Sequence, residues 1–189
     1  MNFDILNCSA AEVAPRLLGC HLVRELDGQT ATVKIVETEA YDQTDAASHS
    51  HKGRTPRTDI MFGSAGYLYV YFTYGMHYCC NVVVGEQGEG AAVLIRAVEP
   101  LDGLELLKQR RPLQTGVQLT NGPAKLCQAL DITKQMNGHD LTEAPLQLVL
   151  QPPVDQADIV QTTRIGISQA KNVPWRFYLR DNPFVSKST

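Results

Sequence analysis

Alternation of hydrophobic and polar positions is the dominant pattern along this chain. It predicts short strands separated by turns that contain glycine. An Asp-Gly dipeptide at 27–28 lies between the first two strands, as in a tight β-hairpin. Strands joined by such short turns pair antiparallel, so the pattern favours a mostly antiparallel sheet. The predicted strands cover residues 21–24, 30–40, 67–74, 78–84, 91–98, 163–167 and 176–179.

Helical spacing occurs only in short segments. Ser9 and Glu12 have the spacing of a capping box, and Pro15 keeps the helix after them short. Two more helices are predicted from apolar residues at helical spacing, namely Leu101, Leu104 and Leu107, and then Leu126, Cys127 and Leu130 after Pro123. Residues 42–66 show no sustained period, and a loop of that length in a compact domain is usually functional or disordered.

Length and composition favour one domain. A chain of 189 residues with 43% hydrophobic content can bury a full core, so we expect a single domain over residues 1–189. The predicted strands and helices make its class α+β. Its five cysteines form neither CxxC pairs nor an even disulfide set, which favours a reducing compartment. No stretch has the length of a membrane span, and the N-terminus lacks a secretory pattern. We therefore expect a cytoplasmic protein with no membrane partner.

Net charge argues mildly against a nucleic-acid partner, because 17 basic and 20 acidic residues give −3. Basic residues nevertheless cluster in three places, which the fold could gather into one positive face or leave scattered in solvent. The clusters are His51, Lys52, Arg54 and Arg57; Lys108, Arg110 and Arg111; and Arg176, Arg180 and Lys187.

Two carboxylates lie near the end of the second predicted strand. Alternation places Glu37 and Glu39 on the same face as Ile35 and Tyr41. A glutamate at such a boundary could act as a general base that orients water for attack. The alternative is a strand end that emerges into solvent, and alternation does not say which glutamate matters.

Arg96 is a second candidate because its guanidinium leaves an apolar strand. An unpaired buried charge is costly, so Arg96 should meet a carboxylate or a phosphate. A structural ion pair with Glu99 or with a strand glutamate is the alternative. His49 in the long loop could stack on a base or donate a hydrogen bond. The histidines and cysteines lack a recognisable zinc spacing, so no metal site is predicted.

Tyrosines are concentrated in the strand at 67–74, which contains four of the chain's seven. Such rings can stack on nucleobases, and a ring at the following turn could protrude. An ordinary half-buried strand is the alternative, since Tyr, Val and Phe are favoured on any sheet.

Short motifs in a fixed order extend along nearly the whole chain. They are Glu37-Thr38-Glu39-Ala40-Tyr41, Ser48-His49-Ser50, Thr55-Pro56-Arg57, Met61-Phe62, Leu68-Tyr69-Val70-Tyr71, Tyr74-Gly75-Met76, Asn81, Val93-Leu94-Ile95-Arg96, Glu99-Pro100-Leu101, Gly122-Pro123-Ala124-Lys125-Leu126-Cys127-Gln128-Ala129-Leu130, Arg164-Ile165-Gly166-Ile167 and Trp175-Arg176-Phe177-Tyr178. In this order they resemble the alkyladenine (3-methyladenine) DNA glycosylase family.

The resemblance implies a monofunctional base excision repair enzyme that hydrolyses the N-glycosidic bond of damaged purines in double-stranded DNA. Alkylated or deaminated purines such as 3-methyladenine and hypoxanthine are the implied substrates. A curved, mainly antiparallel sheet with a protruding β-hairpin and flanking helices is also implied, with no metal or cofactor. We expect a monomer that acts on nucleoid DNA in a bacterium, or in the nucleus of a eukaryote.

The resemblance also implies roles for individual residues. Glu39 would be the general base, and Arg96 and the backbone carbonyl of Ile165 would help it to hold the nucleophilic water. The remaining residues would bind substrate. Tyr41, His49 and Tyr71 would enclose the flipped base, Asn81 would disfavour guanine, Tyr74 would fill the gap in the duplex, and Met76, His77, Thr55, Arg57, Leu94 and Lys125 would contact DNA.

Overall fold

Short strands and helices make up the fold in the computed structural model, which describes residues 3–73 and 75–187. The helices are α1 (Ala10–Arg16), α2 (Leu104–Arg110) and α3 (Pro123–Ala129). The strands are β1 (His21–Leu26), β2 (Gln29–Tyr41), β3 (Leu68–Thr73), β4 (His77–Val83), β5 (Ala92–Asp102), β6 (Leu146–Val149), β7 (Ile159–Thr162) and β8 (Arg176–Leu179). Short 3₁₀ helices cover Asp4–Asn7, Asp59–Phe62, Gly116–Leu119, Lys134–Met136 and Gln156–Asp158.

The described strands form one sheet in which paired strands are antiparallel. Its order is β3-β4-β5-β2-β1-β6, and β8 pairs with both β2 and β7. The 13-residue strand β2 is central, because it pairs with β1, β5 and β8 along different parts of its length. Helices α1 and α2 contact β2, and α3 contacts β4 and β5. The predicted α+β class, with a mainly antiparallel sheet and flanking helices, is confirmed.

Two local predictions about the N-terminal part are also confirmed. Asp27 and Gly28 have φ angles of 50° and 74°, as a two-residue type I′ hairpin turn requires, and they join β1 to β2. The backbone and hydroxyl of Ser9 both donate to the Glu12 carboxylate, which completes the capping box of α1.

The predictions near residues 101 and 163–167 are wrong. Leu101 belongs to the end of β5, and α2 begins at Leu104, after Gly103 adopts a left-handed φ of 71°. No strand covers 163–167, because the amide of Ile165 donates to a side chain and Gly166 has a φ of 73°. The strand in this part of the chain is β7, which ends at Thr162, and the short strand β6 was not predicted.

The ladder between β2 and β5 is irregular where the candidate residues lie. Its register shifts after Ile35 and again after Glu37. Ala97 lies opposite Glu37 and Ile95 lies opposite Thr38, so Arg96 between them has no partner residue in β2. A bulge of this kind bends the strand and redirects a side chain. It explains how one arginine reaches two glutamates of the neighbouring strand.

Two hydrophobic clusters support the sheet. The larger cluster includes Leu17, Ile95, Leu107 and Leu126, each at most 1% exposed, and lies where the helices cover the sheet. The smaller cluster comprises Met61, Phe62, Tyr69, Val83 and Ala92. Because Met61 and Phe62 belong to the long loop, this second cluster fixes the loop against β3, β4 and β5.

Candidate active site

Glu39 lies near the end of β2, and its side chain is fully buried. Its Oε2 accepts a hydrogen bond of 2.7 Å from the Tyr41 hydroxyl, and its Oε1 accepts one of 2.8 Å from the amide of Ile165. Arg96 Nη1 lies 3.3 Å from Oε2. Since all three partners line a cavity, the carboxylate lies immediately behind the cavity wall. The alternative of a strand end that emerges into solvent is excluded for Glu39.

Arg96 joins the two strand carboxylates. Its Nε lies 3.3 Å from Glu37 Oε1, while its Nη1 approaches Glu39. Burial by itself would lower the pKa of Arg96, but the carboxylates of Glu39 and Glu37 raise that pKa above its ordinary value. Arg96 is therefore a permanent cation. Glu99 is not its partner, because Glu99 pairs with Lys34 at 2.7 Å.

Glu37 is equally buried, and its partners other than Arg96 belong to the C-terminal part of the chain. Its Oε1 accepts from Arg176 Nε at 2.6 Å and from the Ser186 hydroxyl at 2.8 Å. Its Oε2 accepts from the Ser186 amide at 2.7 Å. Neither Arg176 nor Ser186 lines the cavity. The Glu37 carboxylate is thus occupied by structural contacts.

A cavity of about 390 Å³ opens beside Glu39. This volume is within the ordinary range of sites for small molecules. The structure brings together at its wall most of the residues predicted to act on or enclose the base, together with one predicted DNA contact. They are Tyr41, His49, Tyr71, Asn81, Arg96 and Ile165, and then Leu94, which is only 4% exposed.

Aromatic rings form one side of the cavity. The rings of His49 and Tyr71 meet edge to face, with centroids 4.6 Å apart and an interplanar angle of 83°. His49 Nδ1 lies 3.0 Å from the Tyr69 hydroxyl, and Arg57 Nη2 lies 3.4 Å from His49 Nε2. A guanidinium can only donate, so Nε2 is an acceptor and the hydrogen is assigned to Nδ1. Burial, and then the Arg57 charge, lower the pKa of His49 to about 4, which makes the ring neutral.

The tyrosine and cysteine side chains of the wall are neutral as well, so Arg96 supplies its positive charge. Burial, and then the neighbouring Glu39 carboxylate, raise the pKa of Tyr41. Burial also raises the pKa of Tyr71 and brings the pKa of Cys79 to about 11. The Tyr41 hydroxyl is therefore protonated and donates its hydrogen to Glu39.

The remaining predicted DNA contacts lie outside the cavity. Met76 is 70% exposed and His77 is also exposed, both next to the β3–β4 turn. Tyr74, predicted at the tip of this hairpin, lies outside the described residues. Thr55 and Arg57 are exposed in the long loop. Lys125 is half-buried, and its Nζ donates to Gln118 and Asn121 side chains.

Comparison with known proteins identifies the family. The sequence profile of the methylpurine-DNA glycosylase family matches residues 4–183. The chain belongs to this family. Proteins similar to this methylpurine-DNA glycosylase occur in Carboxydothermus hydrogenoformans (52% identical, 93% of this chain, 92% of the other), Methanoculleus marisnigri (48%, 93%, 92%) and Francisella tularensis subsp. tularensis (47%, 97%, 96%). Each of the three is provisionally named a 3-methyladenine DNA glycosylase.

Membership confirms the family predicted from the motifs and identifies the chain as a DNA glycosylase. Within residues 3–73 and 75–187 of this methylpurine-DNA glycosylase, no group of three or more His, Cys, Asp or Glu side chains could hold a metal ion. Across the same residues, every helix is too short or too polar to cross a lipid bilayer.

Sequence reasoning missed several cavity residues of this methylpurine-DNA glycosylase. Tyr69 lies two positions before Tyr71, so strand alternation already placed both rings on one face. Cys79 lies opposite Tyr71 in the β3–β4 ladder, and a hairpin register centred on the Gly75 turn would have found it. Met61 and Ser168 come from segments without a period. Met61 belongs to one of the ordered motifs but was given no role, and Ser168 gave no signal.

Proposed function

We propose that this chain is a monofunctional glycosylase that extrudes damaged purines from duplex DNA and hydrolyses their N-glycosidic bond, which starts base excision repair. Membership of the methylpurine-DNA glycosylase family supports the reaction class. The observation that carries the finer proposal is the Glu39 carboxylate, which is buried directly behind a cavity with aromatic walls. In this proposal the whole chain is one catalytic domain and acts as a monomer.

The cavity receives the extruded base. A base inside the duplex hides its glycosidic carbon, so it must leave the stack at a cost of a few kcal/mol. The rings of Tyr41 and Tyr71 supply stacking surfaces, and cation–π attraction to a positively charged purine adds about 1 kcal/mol or more in a desolvated site. Asn81 is fixed because its Nδ2 donates to the carbonyl of Tyr69 at 3.0 Å. A rigid amide of this kind can disfavour the exocyclic amine of guanine.

Glu39 acts as the general base. It takes a proton from a water whose oxygen bonds to C1′ of the sugar, while the electron pair of the C1′–N bond leaves with the base. The Tyr41 hydroxyl and the Ile165 amide hold the carboxylate in one orientation, and Arg96 balances its charge. In this mechanism the carbonyl of Ile165 accepts the second hydrogen bond of the water. A cationic base such as 3-methyladenine leaves as a neutral molecule.

Double-stranded DNA is the proposed partner, and the hairpin with Met76 and His77 enters its minor groove, where Tyr74 fills the gap. Thr55, Arg57 and Lys125 contact the backbone. With a net charge of −3, the protein should bind weakly and with a strong dependence on salt, because each phosphate contact releases counterions. A cytoplasmic or nuclear location stays a prediction.

The decisive experiment uses duplexes that each carry one defined lesion, such as hypoxanthine, 7-methylguanine or ethenoadenine. After incubation, alkali should cleave the strand at the lesion, and without alkali the strand should stay intact. Glu39→Gln should bind the same duplex and lower single-turnover release by about 10³-fold or more, since its base is gone. Release by this variant at the parent rate, or no release by the parent for any lesion, would contradict the proposal.

The hairpin residue Tyr74 tests whether the substrate of this glycosylase is DNA or a small molecule. Tyr74→Ala should weaken binding of lesion duplexes by about tenfold or more, because base stacking on a ring contributes about 1–3 kcal/mol. Tyr67→Ala, which removes a 36% exposed tyrosine just before β3, is the matched control and should bind normally. Equal binding by both variants would favour a small substrate.

A further inference from the structure

Arg164 and Asp45 form a buried ion pair next to the cavity. Arg164 Nη2 donates to Asp45 Oδ1 at 3.0 Å, and Nη1 contacts the other carboxylate oxygen. Nη1 also donates to the carbonyl of Ala40 at 2.9 Å. The two side chains are 0% and 2% exposed, so neither can touch DNA or the sugar directly. Any influence of this pair on catalysis must pass through the residues that it holds.

One of these residues is Tyr41. The guanidinium carbon of Arg164 lies 4.7 Å from the centroid of the Tyr41 ring and 5.4 Å from that of Trp175. Tyr41 lines the cavity and Arg164 does not, so the ring lies between the guanidinium and the cavity. A planar guanidinium can stack on a ring and pair bidentately with a carboxylate at the same time, whereas a lysine cannot. Arg164 therefore fixes the ring from behind.

The same guanidinium holds this position at an energetic cost. Arg164 Nε is buried and has no hydrogen-bond partner within the described part of the chain. A buried donor without a partner is unfavourable.

The pair also connects three segments of the cavity wall. The residue after Arg164 is Ile165, whose amide donates to Glu39 Oε1 at 2.8 Å. Asp45 Oδ1 accepts the amide of Ala47 at 3.0 Å, within the loop segment that lines the cavity. The end of β2, the long loop and residues 164–168 thus meet at one ion pair.

We propose that Arg164, held by Asp45, is a positioning residue of the catalytic centre. It keeps the Ile165 amide against Glu39 and the Tyr41 ring at the cavity wall. This role rests on the proposed glycosylase function, because it is exerted on the general base of that reaction. Neither Arg164 nor Asp45 contacts the reacting atoms.

The test separates binding from chemistry in Arg164→Lys, Arg164→Gln and Asp45→Asn. With a hypoxanthine duplex at saturating enzyme, the single-turnover rate of Arg164→Gln should fall about 10²-fold, because small misplacements of catalytic groups have effects of this size. The dissociation constant of the duplex should change far less than the rate, because Arg164 cannot reach DNA and acts on binding only through the Tyr41 ring. Arg164→Lys should be little faster than Arg164→Gln, because lysine keeps the positive charge but not the planar guanidinium.

Matched controls and a double variant sharpen this result. Asp42→Asn alters the same loop at a carboxylate that accepts from Thr44, and Arg180→Gln removes an exposed arginine. Both should keep the parent rate within about twofold, as surface changes usually do. The variant with Asp45→Asn and Arg164→Gln together should be no slower than the slower single variant, because paired residues act as a unit.

Trp175 provides a readout that does not depend on glycosylase activity. It is the chain's single tryptophan, so its fluorescence reports directly on the guanidinium stacked against it. Emission should change in all three Arg164 and Asp45 variants and stay constant in both controls. Asp45→Asn, which is nearly isosteric, decides the outcome if the Arg164 variants do not fold.

The outcomes distinguish this inference from the proposed function. An inactive parent would overturn the proposed function and the positioning role with it. An active parent, with folded variants that keep its rate or that lose only affinity for the duplex, would overturn the positioning role alone. A slower chemical step with unchanged affinity and altered Trp175 emission supports it.

Discussion

Glu37 and Glu39 lie two positions apart on β2, are both fully buried and share Arg96, yet their surroundings differ. The Glu37 carboxylate receives the Arg176 guanidinium and both donors of Ser186. Glu39 receives one hydroxyl and one amide, from Tyr41 and Ile165, and these partners face a cavity. Strand alternation in the sequence does not distinguish the two glutamates, whereas the structure gives them different partners.

The difference shows that burial and charge do not by themselves identify a catalytic carboxylate. Glu37 receives four donors from two guanidiniums, a hydroxyl and an amide, and the donors from Arg176 and Ser186 do not line the cavity. Glu39 has fewer partners, and they lie between it and space that a ligand can enter. The two residues differ in that a cavity lies beside Glu39, and this cavity exists only in the packed molecule.

The largest expected effect is the loss of stability when Glu37 is replaced. Glu37→Gln should lower the free energy of unfolding by about 3–5 kcal/mol, because removing this carboxylate leaves the buried Arg176 guanidinium uncompensated. Arg176 then has no carboxylate, whereas Arg96 keeps Glu39. Glu39→Gln is the matched variant and should cost clearly less, since Arg96 retains Glu37. Chemical denaturation measures both values, and equal losses would remove the distinction between the two sites.

A smaller effect, on the rate of base release, is expected when the Tyr41 hydroxyl that contacts Glu39 is removed. Tyr41→Phe keeps the ring but removes the donor to Glu39, and a hydrogen bond to a charged group contributes about 1.5–3 kcal/mol. We expect single-turnover base release to fall about tenfold or more, with duplex affinity nearly unchanged. Tyr178→Phe, next to Arg176, is the control and should keep the parent rate. A loss of affinity without loss of rate in Tyr41→Phe would show that its hydroxyl acts on binding.

The smallest expected effect concerns His49, whose contribution to the rate should not change with pH. The pKa of His49 is about 4, below the value of about 6.5 that an unfolded histidine has, so the ring is neutral throughout neutral pH. The ratio of single-turnover rates of the parent and His49→Gln should therefore be constant from about pH 5.5 to 8. A ratio that changes steeply near pH 6.5 would show that His49 titrates during catalysis.

The same pKa sets the sign of a stability effect. A depressed pKa means that the unfolded chain binds the proton more readily, so stability is lost as pH falls from about 6.5 towards 4. His49→Gln should lack this part of the acid sensitivity, which denaturation at pH 7 and pH 5 measures. Equal sensitivity of parent and variant would indicate an ordinary His49 pKa.

Much of the fold followed from local pattern. The Asp27-Gly28 turn, the capping box at Ser9 and the strands β1 to β5 and β8 are set by neighbours in sequence, and these were predicted. The segment after β7 was predicted as a strand and is not one, because Arg164 and Ile165 bind Asp45 and Glu39 instead of a neighbouring strand. Such long-range side-chain partners leave no period in the sequence.

The sequence by itself determined most of the strands and turns, the family and many of the residues around the cavity, because these depend on local periodicity and on ordered motifs. Only the tertiary structure decided that Glu39 lies behind the cavity and that Glu37 is a structural residue. The partners that separate them, Arg176, Ser186 and Ile165, lie more than a hundred positions later in the chain. A bulge aims Arg96 at both glutamates, and it arises from strand pairing that alternation does not encode.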